Sequence, residues 1–467
     1  MKNIILGLLL FFSLISCEKE LDIIPKGKST LETVTDLELL LNQEYGLSTT
    51  PASDIGLICN ESLGLMESVP QMLSLTNTLN YAYLTYNEEV DRITLAQNDA
   101  RYNAAYNYIN YMNVIISKID EASGDENKKA GIKAEAQIMR AYLHWLLVNI
   151  YATQYDATTA ANKGGIPYVD NTNISEEKTK LTLENTYQRI LEDCSDEVIE
   201  LLPRDNSGDV FRADKAFGNA VRAKVLMQMK QYDKALPYAI EALNENGNIE
   251  DRTVLTETYV WDLPIGISNN YVYMGGATRV APTMETLSVE SSAMFEEGDY
   301  VINYDGGWSD AYGMMFAGIN GCKIYFGWNA SVNTYGITSD RMYYTAAECY
   351  IRTGEIRQGL EMVDKVRAYR VEDYQPFTTI YDQSPLNEEE AMALMQEAKW
   401  IECVGTYENF FDCKRWNTEE NYKRTIVRNL GEDYGSYSIA PDSPLWILPF
   451  PANATRYNSS LTQNFGE

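Results

Sequence analysis

One helical hairpin is written twice in this chain. Residues 221–242 read VRAKVLMQMKQYDKALPYAIEA and residues 345–365 read TAAECYIRTGEIRQGLEMVDK. Superposing Ala223 on Ala347 sets Met227 on Ile351, Lys230 on Gly354, Tyr232 on Ile356 and Ala235 on Gly359. Small residues where two helices cross let the backbones approach closely, and the middle residues supply the tight turn. Such a unit cannot bury its apolar face alone and must stack on neighbours. Other segments keep the same helical rhythm. One runs over 101–121, with Tyr102, Tyr106, Ile109, Asn113 and Ile116 recurring; the next runs from Lys133 to Tyr151, with Ile138, Ala141, Tyr142, Trp145, Leu146 and Asn149 on one face. Residues 35–45 open on Thr/Asp cap candidates and continue as a short helix. Although 467 residues could hold about three average domains, the pattern predicts one large, mostly α domain over 35–467.

The repeated grammar is that of tetratricopeptide-type hairpins, against the alternative of two unrelated hairpins. Between Gly247 and Gly336 the rhythm fades. Twelve of the 29 glycines fall there, with Tyr259, Trp261, Tyr271, Tyr273, Tyr300, Trp308, Tyr312, Phe316, Trp328 and Tyr335. An irregular glycine- and aromatic-rich insert between regular hairpins is where a scaffold carries its function. Tyr81, Tyr83 and Tyr86 form a smaller aromatic concentration upstream.

Charge narrows the function classes. Asp plus Glu number 67 against 38 Lys plus Arg, a net charge of −29. With no Lys/Arg cluster to compensate, nucleic acid and anionic membrane surfaces are repelled. The single histidine, His144, cannot build a two-His zinc site, and beside Trp145 in a helical pattern it is expected to be structural. No metal site or cofactor is expected. A binding protein or a carboxylate enzyme remains. Apart from Cys17, the cysteines are Cys59, Cys194, Cys322, Cys349, Cys403 and Cys413. None forms a C-x-x-C pair, and their spacing assigns no disulfide.

Lys2 precedes the apolar run 4–16 and then Cys17. That run is too short to span ~30 Å of hydrocarbon and has the form of a secretion signal over 1–16. Leu14-Ile15-Ser16-Cys17 resembles a lipobox, which implies lipid attachment at Cys17 and a tether over 17–34; an ordinary signal with an incidental cysteine is the alternative. Glu18-Lys19-Glu20 resembles a surface-export signal of Bacteroidetes lipoproteins.

Matches to one family run in order along the chain. They are residues 101–109 (RYNAAYNYI), similar to an aromatic "W-x-x-x-Y-x-x-I" helix; 133–142 (KAEAQIMRAY), similar to "A-E-A-x-x-L-R-A"; and 164–169 (GGIPYV), like a "G-G-I-P" turn. Residues 341–348, 410–416 (FFDCKRW), 446–451 (WILPFP) and Gln463-Asn464 complete the series. With the lipobox, these resemble the SusD/RagB family of nutrient-binding surface lipoproteins. Three positions depart from its pattern. Glu397-Ala398-Lys399-Trp400-Ile401-Glu402 lacks the arginine of "E-R-x-x-E-L", Asn409 stands where an arginine precedes "F-D-L-K-R-W", and Asp299-Tyr300-Val301 lacks the arginine of "D-x-R". These are expected to be ion-pair positions.

The resemblance implies a SusD-like fold and a non-enzymatic protein, lipid-anchored in the outer membrane and facing outward. Such a protein captures oligosaccharides and delivers them to a SusC-like TonB-dependent barrel. A peptide or other nutrient is the alternative ligand. Glycan capture needs flat rings for the C–H face of a sugar and planar polar groups for its hydroxyls. Trp308, Trp328 and Asn329 have that composition, with Tyr273 beside them in the insert and Tyr83 and Tyr86 as the opposite wall. Two rivals are a glycosidase using a carboxylate pair and a scaffold binding only proteins. Missing strand–helix alternation argues against the first, and the export signals with the aromatic insert against the second.

Overall fold

The computed structural model describes residues 31–47, 54–64, 68–173, 175–206, 208–256, 268–275, 284–303, 308–326 and 333–466. Its principal helices are α1 (Ala100–Lys118), α2 (Glu126–Tyr151), α3 (Lys215–Gln228), α4 (Tyr232–Glu245), α5 (Ser339–Arg352), α6 (Ile356–Arg367), α7 (Glu388–Glu402) and α8 (Glu408–Trp416). α1 packs on α2, α3 on α4 and α5 on α6; α4 lies on α5, and α7 closes over α5 and α6. The two hairpins legible as a repeat are therefore stacked neighbours in a tetratricopeptide-like array.

The residue matching survives in detail. Lys230 and Gly354 both adopt positive φ, +59° and +90°, and each lets the next amide reach back over the turn. The Gln231 N–H donates to Leu226 O at 2.9 Å, and the Glu355 N–H to Tyr350 O at 2.8 Å. Ala223, Ala235 and Ala347 are fully buried at the crossings. At Gly359 a Cβ would stand 2.7 Å from Ala347 O and 2.6 Å from Ile351 Cγ1, so only glycine fits.

α2 starts earlier than its apolar pattern, because Asp125 caps the Asn127 N–H and the first turns, Glu126–Lys129, are polar and largely exposed. From Ile132 onward almost every residue is buried, and the helix runs through the core. The expected 35–45 helix shortens to Val34–Glu38, held by a Thr33–Asp36 capping box; the chain then turns to bury Leu41, Tyr45 and Leu47. The "G-G-I-P" segment is a strand, not a turn. β1 (Gly164–Pro167) pairs antiparallel with β2 (Lys180–Thr182), so its backbone groups are satisfied by a ladder. Three more two-stranded antiparallel sheets join β3 (Asn270–Val272) to β6 (Ile337–Thr338), β4 (Met284–Thr286) to β5 (Ile324–Phe326) and β7 (Ile426–Asn429) to β8 (Ser436–Ile439).

His144 is a packing residue. It is fully buried, its ring stacks on Tyr168 at 3.9 Å, and its Nε2 accepts the Val169 N–H at 3.1 Å. Its Nδ1 therefore carries the proton and donates to Arg140 O at 2.8 Å. Burial pulls its pKa down to about 3. All six cysteines after Cys17 are buried free thiols. Among the described residues, no helix is long and apolar enough to cross a membrane.

The close crossing gives a direct test. Gly359→Leu is expected to cost roughly 2–3 kcal/mol, the usual price of forcing a side chain into filled space. Gly354→Ala is expected to cost about 1 kcal/mol for its left-handed backbone. Urea unfolding midpoints measure both; an unshifted midpoint for Gly359→Leu would refute the tight crossing.

Candidate functional site

The insert is pinned to the helical array by a buried amide. Asn333 donates to Asn270 Oδ1 (2.7 Å) and Val272 O (2.8 Å), and its own Oδ1 accepts the N–H groups of Met274 (2.8 Å) and Gly336 (2.9 Å). Arg341, in the first turn of α5, donates to Asn333 O at 2.7 Å and to Thr338 Oγ1 at 3.1 Å. Tyr142 of α2 donates to Tyr335 O. On the far side, the Leu63 N–H donates to Thr286 O at 2.6 Å, and Ser288 and Ser291 both donate to Asn60 O. The irregular chain thus leaves and re-enters a rigid frame at fixed points.

From that frame the insert raises the helix Trp308–Ala317. Tyr312 and Phe316, one turn apart, stack at 5.8 Å with planes 26° apart. Met314 and Met315 beside them are 57% and 59% exposed, unusually open for such apolar side chains. Gly318, just beyond, comes against Pro70 of the Val69–Ser74 helix, after which Leu75 is 53% exposed. Half-buried rings beside mobile thioethers make an adaptable apolar surface of the kind that binds extended ligands. The methionines were missed in the sequence; their signal is the run Met314-Met315-Phe316 in a segment too short to be a core helix. Among the described residues no cluster of His, Cys, Asp and Glu could hold a metal ion.

The expected site residues divide. Trp308 opens this helix, while Trp328, Asn329 and Cys17 lie outside the described residues. Tyr273 is 8% exposed and packs edge-on against Phe211 at 6.0 Å. Tyr83 and Tyr86 do not form an opposite wall. Tyr83 is 1% exposed in the main core, and Tyr86 lies under the Arg428 guanidinium, 4.5 Å from the ring. Arg428 is itself fully buried and also binds the carbonyls of Leu57, Tyr83 and Leu84, so this upstream corner is packed scaffold. Rings without an open face cannot stack on a sugar.

Comparison with known proteins gives one answer at two levels. Residues 21–227 match a family model described as starch-binding, associating with the outer membrane, and residues 300–466 match the SusD family model. Among solved structures, the fold is similar to a SusD-like carbohydrate-binding protein of Bacteroides vulgatus at 13% identity (TM-score 0.59; 93% of this chain, 98% of that one). It is also similar to a SusD superfamily protein of Bacteroides thetaiotaomicron at 17% identity (TM-score 0.65; 92% and 99%). A surface glycan-binding protein A from Bacteroides uniformis matches at 13% identity (TM-score 0.65; 93% and 100%). No curated protein matches.

The missing arginine at Asn409 has a counterpart. Glu61 is 1% exposed; its carboxylate accepts the Gly405 N–H at 2.8 Å and the Asn409 amide at 2.7 Å, and no cation among the described residues pairs with it. Burial pushes its pKa up to about 7, the two N–H donors only partly opposing. A carboxyl raised on folding binds more protons native than unfolded between about pH 4.5 and 7, so its contribution is full below 4.5 and is lost as pH rises through 7. Glu61→Gln is therefore expected to match the parent near pH 4.5 and exceed it in stability at pH 8 by roughly 1–3 kcal/mol. Denaturant titrations at both pH values check this; a parent more stable than the variant at pH 8 refutes it.

Proposed function

Because the chain belongs to the SusD/RagB family, we propose that it captures oligosaccharides at the cell surface and passes them to a SusC-like TonB-dependent barrel. The family is carbohydrate-binding, non-catalytic and associated with the outer membrane. Lipid attachment at Cys17 and an outward-facing position complete the reading, since a lipid tether holds a binder to a membrane without spanning it. The likeness in fold to the surface glycan-binding protein A of Bacteroides uniformis supports a glycan ligand.

The observation that carries the proposal is the open apolar face of the Trp308–Ala317 helix on its rigid frame. A sugar ring gains most from flat, pre-positioned rings, which lose little rotamer freedom on binding. Catalysis by an acid pair lacks support from the buried acids at the array's centre. Glu348, Asp412, Glu408 and Glu402 are each paired with arginine or lysine at 2.6 Å, which holds them as structural ions. One observation favours a peptide ligand as a second reading: exposed Met314 and Met315 suit apolar side chains better than hydroxyl-rich faces.

Glycan-array and peptide-library screens of the chain from Glu18 onward separate the two. For a glycan ligand, Trp308→Ala and Trp328→Ala are each expected to cost about 1–2 kcal/mol, a five- to thirty-fold loss of affinity. Unchanged affinity in both variants removes the proposed platform. Loss confined to Met314→Ala and Met315→Ala with a bound peptide establishes the second reading.

A further inference from the structure

The Trp308–Ala317 helix keeps one side against the protein and turns the other to water. Its inner side lies on β4 and β5. Ala317 is fully buried there. A Cβ on Gly313 would run into Cys322 O and stand 2.5 Å from Lys323 Cα, so the helix backbone rests directly on the chain entering β5. Helical rotation then carries Met314 to the flank and Met315 to the side opposite Gly313. Both are held outward by the packing beneath them, beside the stacked rings of Tyr312 and Phe316. No other methionine with a described side chain is exposed. Eight are at most 4% exposed, and Met229, Met294 and Met362 are half-buried against the core.

That segregation matters chemically. A thioether reacts through a lone pair on sulfur, so an oxidant in water must reach the sulfur itself. In the core a polar oxidant is excluded, and a sulfoxide formed there would bury a polar oxygen without a partner. Neither obstacle exists at Met314 and Met315, where the new oxygen is hydrated as it forms. Oxidation converts a flexible apolar side chain into a polar, chiral one. Here it would do so twice on one short helix, on the surface that makes this face apolar.

We propose that Met314 and Met315 are an oxidation-responsive site, at which a peroxide turns the apolar face of the helix polar and weakens its hold on a ligand. At each sulfur one S–O bond forms and the O–O bond of hydrogen peroxide breaks. The sulfur is oxidised by two electrons, and the other peroxide oxygen leaves with both hydrogens as water. Reduction of the sulfoxide by methionine sulfoxide reductases reverses the change, one enzyme serving each epimer. The weakened hold rests on the reading of this helix as the ligand-binding face; the selective reactivity does not.

The chain from Glu18 onward is treated with hydrogen peroxide and mapped by peptide mass spectrometry. In the folded protein Met314 and Met315 are expected to oxidise at least roughly tenfold faster than the fully buried Met342 and Met395, and in urea at rates equal to theirs. Nile red, a neutral probe of apolar surface, is expected to lose about fivefold in affinity after treatment and to regain it with the two reductases. In Met314→Leu/Met315→Leu, treated and untreated protein are expected to bind the dye equally. The unfolding temperature should not change on treatment, because no buried contact is altered. Oxidation at Met314 and Met315 no faster than at Met395, dye affinity unmoved by peroxide, an equal loss in the double variant, or a lowered unfolding temperature overturns the proposal. If glycan and peptide screens of the untreated chain find no ligand, the ligand-binding reading fails by itself, since the mass map and the dye need no nutrient.

Discussion

Glu348 and Arg415, both with wholly buried side chains, face each other at 2.6 and 2.7 Å in the middle of the helical array. Taking two charges out of water costs several kcal/mol per ion, which only near-ideal geometry with further hydrogen bonds offsets. Those bonds are present. Trp416 Nε1 donates to Glu348 at 3.0 Å and Tyr232 OH accepts from Arg415 at 2.9 Å. Around the pair, Asp412 meets Lys399 of α7 at 2.6 Å, and Glu408 meets Lys224 of α3 at 2.6 Å. Burial alone would push the Glu408 carboxyl up; Lys224, Arg341 and Lys399 outweigh it and hold it below the usual carboxylate range. One nine-residue helix, α8, thereby ties together α3, α5 and α7. Removal of a single partner strands a charge at a typical cost of about 3–5 kcal/mol.

The insert hangs from this cluster. Arg341 reaches Glu408 at 3.5 Å with one guanidinium nitrogen and the backbone of Asn333 with another. The ionic centre and the root of the irregular chain are one hydrogen-bonded network. Local order at the root coexists with open apolar surface on the Trp308–Ala317 helix, as expected where a rigid scaffold presents variable chain. Glu61 and Asn409 mark the opposite attachment, where a neutral amide stands in place of the family's arginine and the buried acid has no counter-ion among the described residues.

Periodicity made the scaffold legible. The offset that places Lys230 on Gly354 and Ala235 on Gly359 aligns two turns with matching hydrogen bonds, because turn and crossing chemistry are local and repeat with the sequence. The FFDCKRW run was legible as a motif, and the structure supplies its reason. Phe410, Phe411 and Trp416 fill the core, Asp412 and Arg415 enter the ion cluster, and Lys414 caps α2. Facing was not legible. Tyr83 and Tyr86 look like a binding wall by composition, yet Tyr83 is buried in the core and Tyr86 lies under Arg428, more than 340 residues away in sequence. No local pattern foretells such a partner. The GGIP strand failed for the same reason, since its ladder partner comes after an intervening loop.

Buried pairing also sharpens what the acid excess means for ligands. Many of the 38 cations are spent inside, as with Arg140 on Asp193, Arg370 on Glu402 and Arg415 on Glu348. Each such pair is neutral, so the net charge of −29 belongs almost entirely to the exterior. Beyond the ~8 Å Debye length at physiological salt that field is screened, but a polyanion lying along the surface stays within it. Extended acidic polymers are therefore disfavoured on the outer faces, and neutral glycans are not.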